Sequence, residues 1–209
     1  MPLQNRIDPC GAIIRSSARG TLMGNRGGAI HNDQREIIRQ FKSRQWIVCV
    51  LEFKGRQRTV MSPGLYTELF FLDEATALAA GHRPCAECRR ERFNVFRNSW
   101  AQSHNRTGDG PVRAPEMDLE LHAARIDGRG RKVTHEAPVD SLPDGCFVKI
   151  DESSYLVQGD ALLQWSPEGY TRKYSRSGGE TVTVLTPKPT VECIRHSYAP
   201  LIHPSALAL

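Results

Sequence analysis

Hydrophobic positions along this chain fall into short blocks separated by turn residues. Trp46 to Phe53 is dense in β-branched and aromatic residues and ends at Lys54-Gly55-Arg56, which predicts a strand entering a turn. Thr59 to Met61 resumes strand character until Pro63-Gly64 breaks it, and Leu65 to Leu72 predicts another short strand. The region reads as an antiparallel hairpin or a three-stranded meander. The two-residue period of a strand puts Cys49 on one face with Ile47, Leu51 and Phe53. Asp73 to Gly81 then predicts a helix of barely two turns, with Asp73 at the N-cap, Glu74 in the first turn and Gly81 just past the end.

From Ala86 to Trp100, the residues Phe93, Phe96 and Trp100 recur as one helical stripe, which predicts core, with Arg89, Arg90, Arg92 and Arg97 around it. Glu116 to Arg125 predicts a short helix with Met117, Leu121 and Ala124 on one side. Cys146 to Ile150, Ser154 to Gln158, Ala161 to Trp165 and Thr181 to Leu185 read as strands between turn clusters. A short helix is expected from Thr186-Pro-Lys-Pro through Arg195. The chain thus reads as α+β: a small antiparallel sheet with short helices around a Cys-x-x-Cys knuckle, followed by a β-rich C-terminal part. Residues 1–102 form the first expected domain, 103–115 a linker or long loop of small polar and Gly-Pro composition, and 116–209 the second.

Composition narrows the class. Hydrophobic residues make up 39% and charged residues 24% of 209, enough for a folded core. No apolar run approaches the roughly 20 residues that cross a bilayer, and Met1 to Arg15 lacks the apolar segment of a secretion signal. The expected compartment is the cytoplasm, with no membrane and no disulfide-linked partner, and with all six cysteines reduced or metal-bound. The formal charge of +5 is uneven: residues 35–97 hold twelve Lys and Arg against seven Asp and Glu. That asymmetry suits a polyanion partner, and equally a solvated basic face.

The sharpest chemical signal is Cys85-Ala-Glu-Cys88, preceded by Gly81-His-Arg-Pro84 and placed where a helix opens. Two thiolates at that spacing suit zinc, which prefers tetrahedral sulfur and nitrogen ligands. A redox dithiol is the competing chemistry, but no thioredoxin-like strand and helix pattern surrounds the pair. The segment Phe70 to Arg89 (Phe-Phe-Leu-Asp-Glu-Ala-Thr-Ala-Leu-Ala-Ala-Gly-His-Arg-Pro-Cys-Ala-Glu-Cys-Arg) resembles the second half of the zinc-binding N-terminal domain of the Ada family of DNA methyl-phosphotriester repair proteins. The resemblance covers roughly residues 46–100. It implies that Cys85 and Cys88 are the second ligand pair of a zinc site and that the partner is DNA.

The family's first pair, which includes the methyl acceptor, would lie upstream, where Thr59 to Phe71 has neither Cys nor His; methyl transfer is therefore not expected. The remaining ligands are sought among Cys49, Cys10, His82 and His31, with Cys49 first; its apolar neighbours also fit a simple core thiol, and His82 is expected at the surface beside the knuckle.

Other chemistry is fainter. Arg19 to Gly28 carries four glycines and two arginines and offers amides and guanidinium groups to a phosphate, although a plain turn explains it as well. His122 and His135, with Asp118, Glu120, Asp127 and Glu136 nearby, form a second candidate metal or acid-base cluster. No hydrolase elbow, zincin, kinase or Walker signature is present, so enzymatic activity stays open. The leading expectation is a nucleic-acid-binding or DNA-maintenance protein with an Ada-like, degenerate zinc site, presenting Lys54, Arg56, Arg58, Arg83, Arg89, Arg90 and Arg92 to phosphates. The alternatives are a metal-dependent enzyme acting on a phosphate-containing or nucleic acid substrate, and a purely structural zinc module.

Overall fold

A computed structural model describes residues 1–57, 59–104 and 110–209, and the fold is α+β. Among the described residues, twelve strands build two six-stranded sheets. The first contains β1 (Gln4–Ile7), β2 (Ile13–Arg15), β3 (Leu22–Asn25), β4 (Ile47–Cys49), β5 (Leu69–Phe71) and β6 (Arg83–Pro84), in spatial order β2-β1-β5-β3-β4-β6. Three helices follow or interrupt these strands: α1 (Glu74–Ala79), α2 (Arg90–Ser103) and α3 (Ala114–Arg125). The second sheet contains β7 (His135–Pro138), β8 (Phe147–Ile150), β9 (Ser153–Gln158), β10 (Ala161–Ser166), β11 (Gly169–Ser175) and β12 (Thr181–Val184). It is antiparallel throughout, in the order β11-β10-β9-β8-β12-β7, and α4 (Lys188–Arg195) follows it.

The expected hairpin between Trp46 and Leu72 does not form. β4 and β5 are separated by β3, which pairs antiparallel with both. Thr59 to Met61 is turn rather than strand: Met61 has a positive φ of 55°, and its amide is taken by a Glu68 carboxylate oxygen at 2.8 Å instead of a ladder. The intruding strand comes from the Gly/Arg-rich stretch that reads as a turn. A glycine is needed at its centre because a Cβ on Gly24 would lie 2.2 Å from the Ile47 carbonyl oxygen. β7 and β11 also fall outside the expected strands. Both lie at sheet edges, and the outer half of β11 is exposed, so neither shows a strong apolar pattern.

The predicted helices are present with small shifts in their ends. Asp73 caps α1, its Oδ1 accepting from the Thr76 amide at 2.8 Å, and Gly81 follows with φ of 90°. Phe93, Phe96 and Trp100 are buried together with Met117, Leu121, Val148, Val157, Val184 and Tyr198 in one hydrophobic cluster. That cluster draws on both 1–102 and 116–209, so apolar packing is continuous across the expected boundary. Of the expected linker, α2 and α3 take the ends, and residues 105–109 lie outside the described residues.

A buried ionic node ties these layers together. Glu74, in the first turn of α1, is fully buried; Arg89 sits 2.9 Å and Arg92 2.5 Å from its two oxygens. The Tyr198 hydroxyl donates at 2.5 Å and the Leu201 amide at 2.9 Å. Its neighbour Asp73 accepts from the Tyr170 hydroxyl at 2.7 Å and the His203 amide at 3.0 Å. Two adjacent carboxylates thus join α1 to the start of α2, to β11 and to the C-terminal tail. Removing one partner of a buried charge pair leaves the other uncompensated. Glu74→Ala should therefore lower unfolding free energy by about 3–5 kcal/mol in urea titrations.

Candidate metal centre

The first sheet positions the knuckle. β6 pairs parallel to β4, with Ile47 opposite Arg83 and Val48 opposite Pro84, and the Cys85 amide donates to the Val48 carbonyl at 2.9 Å. This extension of the ladder brings Cys85 beside Cys49, and the turn that follows returns Cys88 to the same place. The ligand atoms of Cys49, Cys85 and Cys88 all lie within 4.8 Å of one another, a cluster that could hold a metal ion. Among the described residues, no other His, Cys, Asp or Glu joins a cluster of that kind. The Glu87 amide donates to the Cys85 sulfur at 3.4 Å, as expected of a knuckle opening toward a helix.

The pleat decides which residues share the site. Ile47 and Cys49 on β4, Met23 and Asn25 on β3, and Phe70 on β5 line a cavity of about 880 Å³ together with Cys85 and Cys88. The alternate positions Val48, Leu69 and Phe71 are buried in the core beneath. The cavity mouth carries the tip Phe53 to Arg56, where Lys54 and Gly55 both have positive φ and the Arg56 amide closes on the Phe53 carbonyl at 3.1 Å. Tyr66 and Glu68 also line it. The same period of two that predicts a strand through Leu65 to Leu72 aligns Tyr66, Glu68 and Phe70, so this wall was within reach of sequence reasoning.

The three sulfurs are electrostatically interdependent. Hydrogen bonding from Cys49 and then Cys88, with help from the Cys88 and Glu87 amides, pulls the Cys85 thiol well below its ordinary range against the opposing effect of burial. The same contacts with Cys85 and Cys88, together with burial, push Cys49 far upward. Cys88 ends up raised: the bond with Cys49 lowers it, but Cys85 and burial outweigh that. One thiolate is therefore favoured at the expense of its neighbours, and a divalent cation is what would let all three ionise. Three sulfurs are a soft donor set that fits zinc.

Of the other expected ligands, none reaches the trio. Cys10 lies against the Ser154 hydroxyl at 3.8 Å, and His31 contacts the Thr67 hydroxyl at 2.5 Å and the Ser62 carbonyl at 3.3 Å. His82 is not at the surface. It is fully buried between the rings of Trp46 and Phe71, with centroids at 5.2 and 4.8 Å, because the chain at Gly81 turns inward under α1. The His122 and His135 cluster does not assemble either: Asp118 is engaged by Arg83, His122 packs on Phe41, and Glu136 accepts from Thr183.

No family model, curated protein or solved structure matches this chain. The site's geometry is thus what speaks to function. It removes part of the expected basic surface: Arg83 makes a buried two-pronged pair with Asp118 at 2.8 and 2.7 Å, and Arg89 is buried against Glu74. Arg92 is committed to Glu74 and to the Ala199 carbonyl. Arg83 and Arg89 are thus buried against internal carboxylates, and Arg92, partly exposed, is engaged by internal acceptors. Lys54, Arg56 and Arg90 remain exposed, and Arg58 lies outside the described residues.

Burial holds the Cys146 and Cys193 thiols at about 12, so neither presents thiolate near neutrality. Brief alkylation of chelator-treated native protein at pH 7 should label Cys85, whose thiol is pulled down, and leave Cys146 and Cys193 unmodified, as read by peptide mass spectrometry.

Proposed function

We propose that this protein binds zinc through Cys49, Cys85 and Cys88 in an Ada-like centre whose fourth coordination position faces the cavity. The convergence of Cys49, from a different part of the chain, on the Cys-x-x-Cys knuckle carries this reading. Buried free cysteines are ordinary, but three sulfurs meeting at the wall of a cavity are not needed for packing. The donor set differs from a closed structural site, which takes four protein ligands. Zinc held there would supply a Lewis acid and lower the pKa of a group bound to it. The lining residues orient and enclose whatever enters. Methyl transfer by an upstream cysteine pair is not part of this proposal.

Elemental analysis of protein purified without added metal should find about one zinc per chain. Cys49→Ser, Cys85→Ser and Cys88→Ser should each lose most of it, whereas Cys10→Ser should retain it. Equal zinc content across all four variants would sink the assignment.

A second reading, nucleic-acid binding at the cavity mouth, is favoured by the tip itself. Lys54 Nζ lies 5.1 Å and the Arg56 guanidinium 5.4 Å from the Phe53 ring centroid, so an aromatic face and two cations project together. Such a combination suits a single strand, whose bases stack while its phosphates meet cations. Arg56 also pairs with Glu87 at 3.2 Å, an exposed interaction that a phosphate would replace. Anisotropy titrations with a single-stranded oligonucleotide should show affinity falling with salt, and Lys54→Ala/Arg56→Ala should reduce the log-log slope by about 0.7 for each phosphate no longer neutralised. An unchanged slope would remove the tip from the interface.

A further inference from the structure

The opposite face of the same two strands carries a second, smaller cavity of about 400 Å³. Where Met23, Asn25, Ile47 and Cys49 face the metal side, Arg26 and Trp46 face this one. Three cations from separate segments line it: Arg26 just past β3, Arg125 at the end of α3, and Lys132 in the turn beyond. Arg26 and Arg125 are fully buried. Their guanidinium carbons lie 3.9 and 4.1 Å from the Trp46 ring centroid, so one indole holds both. Arg129 adds a fourth cation at the rim.

What distinguishes this cluster is that its cations make no direct ion pair. Among the described residues, no carboxylate pairs with Arg26, Arg125 or Lys132 within ion-pair distance. The donors instead reach neutral acceptors: Arg26 to the Gly11 carbonyl at 2.8 Å and His82 at 3.3 Å, Arg125 to the Gly81 and Arg44 carbonyls at 2.8 and 2.5 Å, and Lys132 to the Ala79 carbonyl. Arg125 Nε is buried without a partner. Asp8 contributes charge nearby but its Oδ1 accepts from the Ala12 amide, Asp118 belongs to Arg83, and Asp127 pairs with Arg131 at 2.8 Å. Elsewhere in this protein buried arginines face carboxylates, as Arg83 and Arg89 do. Here like charges come together, and the nearby carboxylates of Asp8 and Asp118 form no ion pair with them.

The chain takes trouble to keep this arrangement. Arg125 passes directly over Gly81, where a Cβ would lie 2.6 Å from its Cδ and the backbone has φ of 90°. Burial lowers the pKa of all three, and neighbouring cations push Arg125 and Lys132 down further, Lys132 to about 7. An anion entering the cavity would relieve both the repulsion and the missing partner. Tetrahedral oxyanions match the fork geometry of paired guanidinium groups, and the volume is at the small end for ligand pockets.

We propose that this second cavity binds a small molecule bearing a phosphate group, held by Arg26, Arg125 and Lys132 with Arg129 at the entrance. The site is independent of the zinc centre: it lies on the other face of the sheet and shares none of its ligands. It also unites two stretches that look unrelated along the chain, the Gly/Arg-rich segment ending at Gly28 and the turn from Asp127 to Arg131.

The probes are inorganic phosphate and pyrophosphate, titrated calorimetrically into the intact protein at constant ionic strength, with chloride as control. Saturable binding of pyrophosphate is expected, with Tm rising by about 5–10 °C at a hundredfold excess over Kd. Lys132→Met and Arg129→Ala, which leave both fully buried arginines in place, should each weaken binding at least about tenfold. Cys85→Ser should bind pyrophosphate like the parent even where it has lost zinc. Three results would overturn the proposal: no saturable binding, binding indifferent to both variants, or displacement of pyrophosphate by an oligonucleotide without a terminal phosphate. The first would leave the cations as braces for backbone carbonyls. The last would assign the cavity to a polymer backbone.

Discussion

The structure turns on a buried carboxylate. Glu74 pairs with Arg89, accepts from Arg92 on the same side, and accepts from Tyr198 and the Leu201 amide on the other. The chain between Glu74 and Arg89 carries Cys85 and Cys88, so the ion pair closes the loop that holds two of the three clustered sulfurs. A charge this deep is tolerable only when its oxygens are fully engaged. Three donors and the Arg89 ion pair achieve that, drawn from the start of α2 and from the C-terminal tail. The knuckle's position therefore depends on packing between α1, α2 and the C-terminal tail, none of which touches a sulfur.

The first sheet then divides two chemistries. Alternation along β3 and β4 sends Cys49 to one face and Trp46, with Arg26, to the other. One side gathers sulfurs that compete for a single negative charge; the other gathers cations with no carboxylate to meet them. Unpaired buried charge and crowded ionisable groups are costly, and a bound ion or ligand is what would offset that cost on either face. The strands are three and four residues long, so the two sites lie a sheet thickness apart without sharing a side chain.

Several parts of this picture were legible from local pattern. The cap at Asp73, the end at Gly81 and the stripe Phe93, Phe96 and Trp100 follow from helix geometry, and they are where the pattern puts them. The C-terminal strands were readable because their apolar residues and turns are sharply punctuated. The β3 strand was not, because Leu-Met-Gly-Asn has the composition of a loop and becomes a central strand only through its neighbours on both sides. Likewise, Cys49 was visible as a candidate ligand, although its apolar strand face fits a core thiol as well; its meeting with Cys85 depends on the parallel pairing of β4 with a two-residue β6, which no sequence period signals.

By itself the sequence determined the class of the fold, the helix that leads to the knuckle and the thiol pair that a soft metal would take. Those features depend on residues close together in the chain, where capping, periodicity and turn chemistry act directly. Only the tertiary structure decided the fate of the charges. Arg83, Arg89 and Arg92 look from the sequence like Lys54 and Arg56, yet the first three are committed to Asp118 and Glu74, while Arg26 and Arg125 are enclosed and meet backbone carbonyls in place of a carboxylate. Whether an arginine meets a carboxylate, water or the wall of a cavity is set by long-range packing, and a guanidinium group carries the same charge in each case.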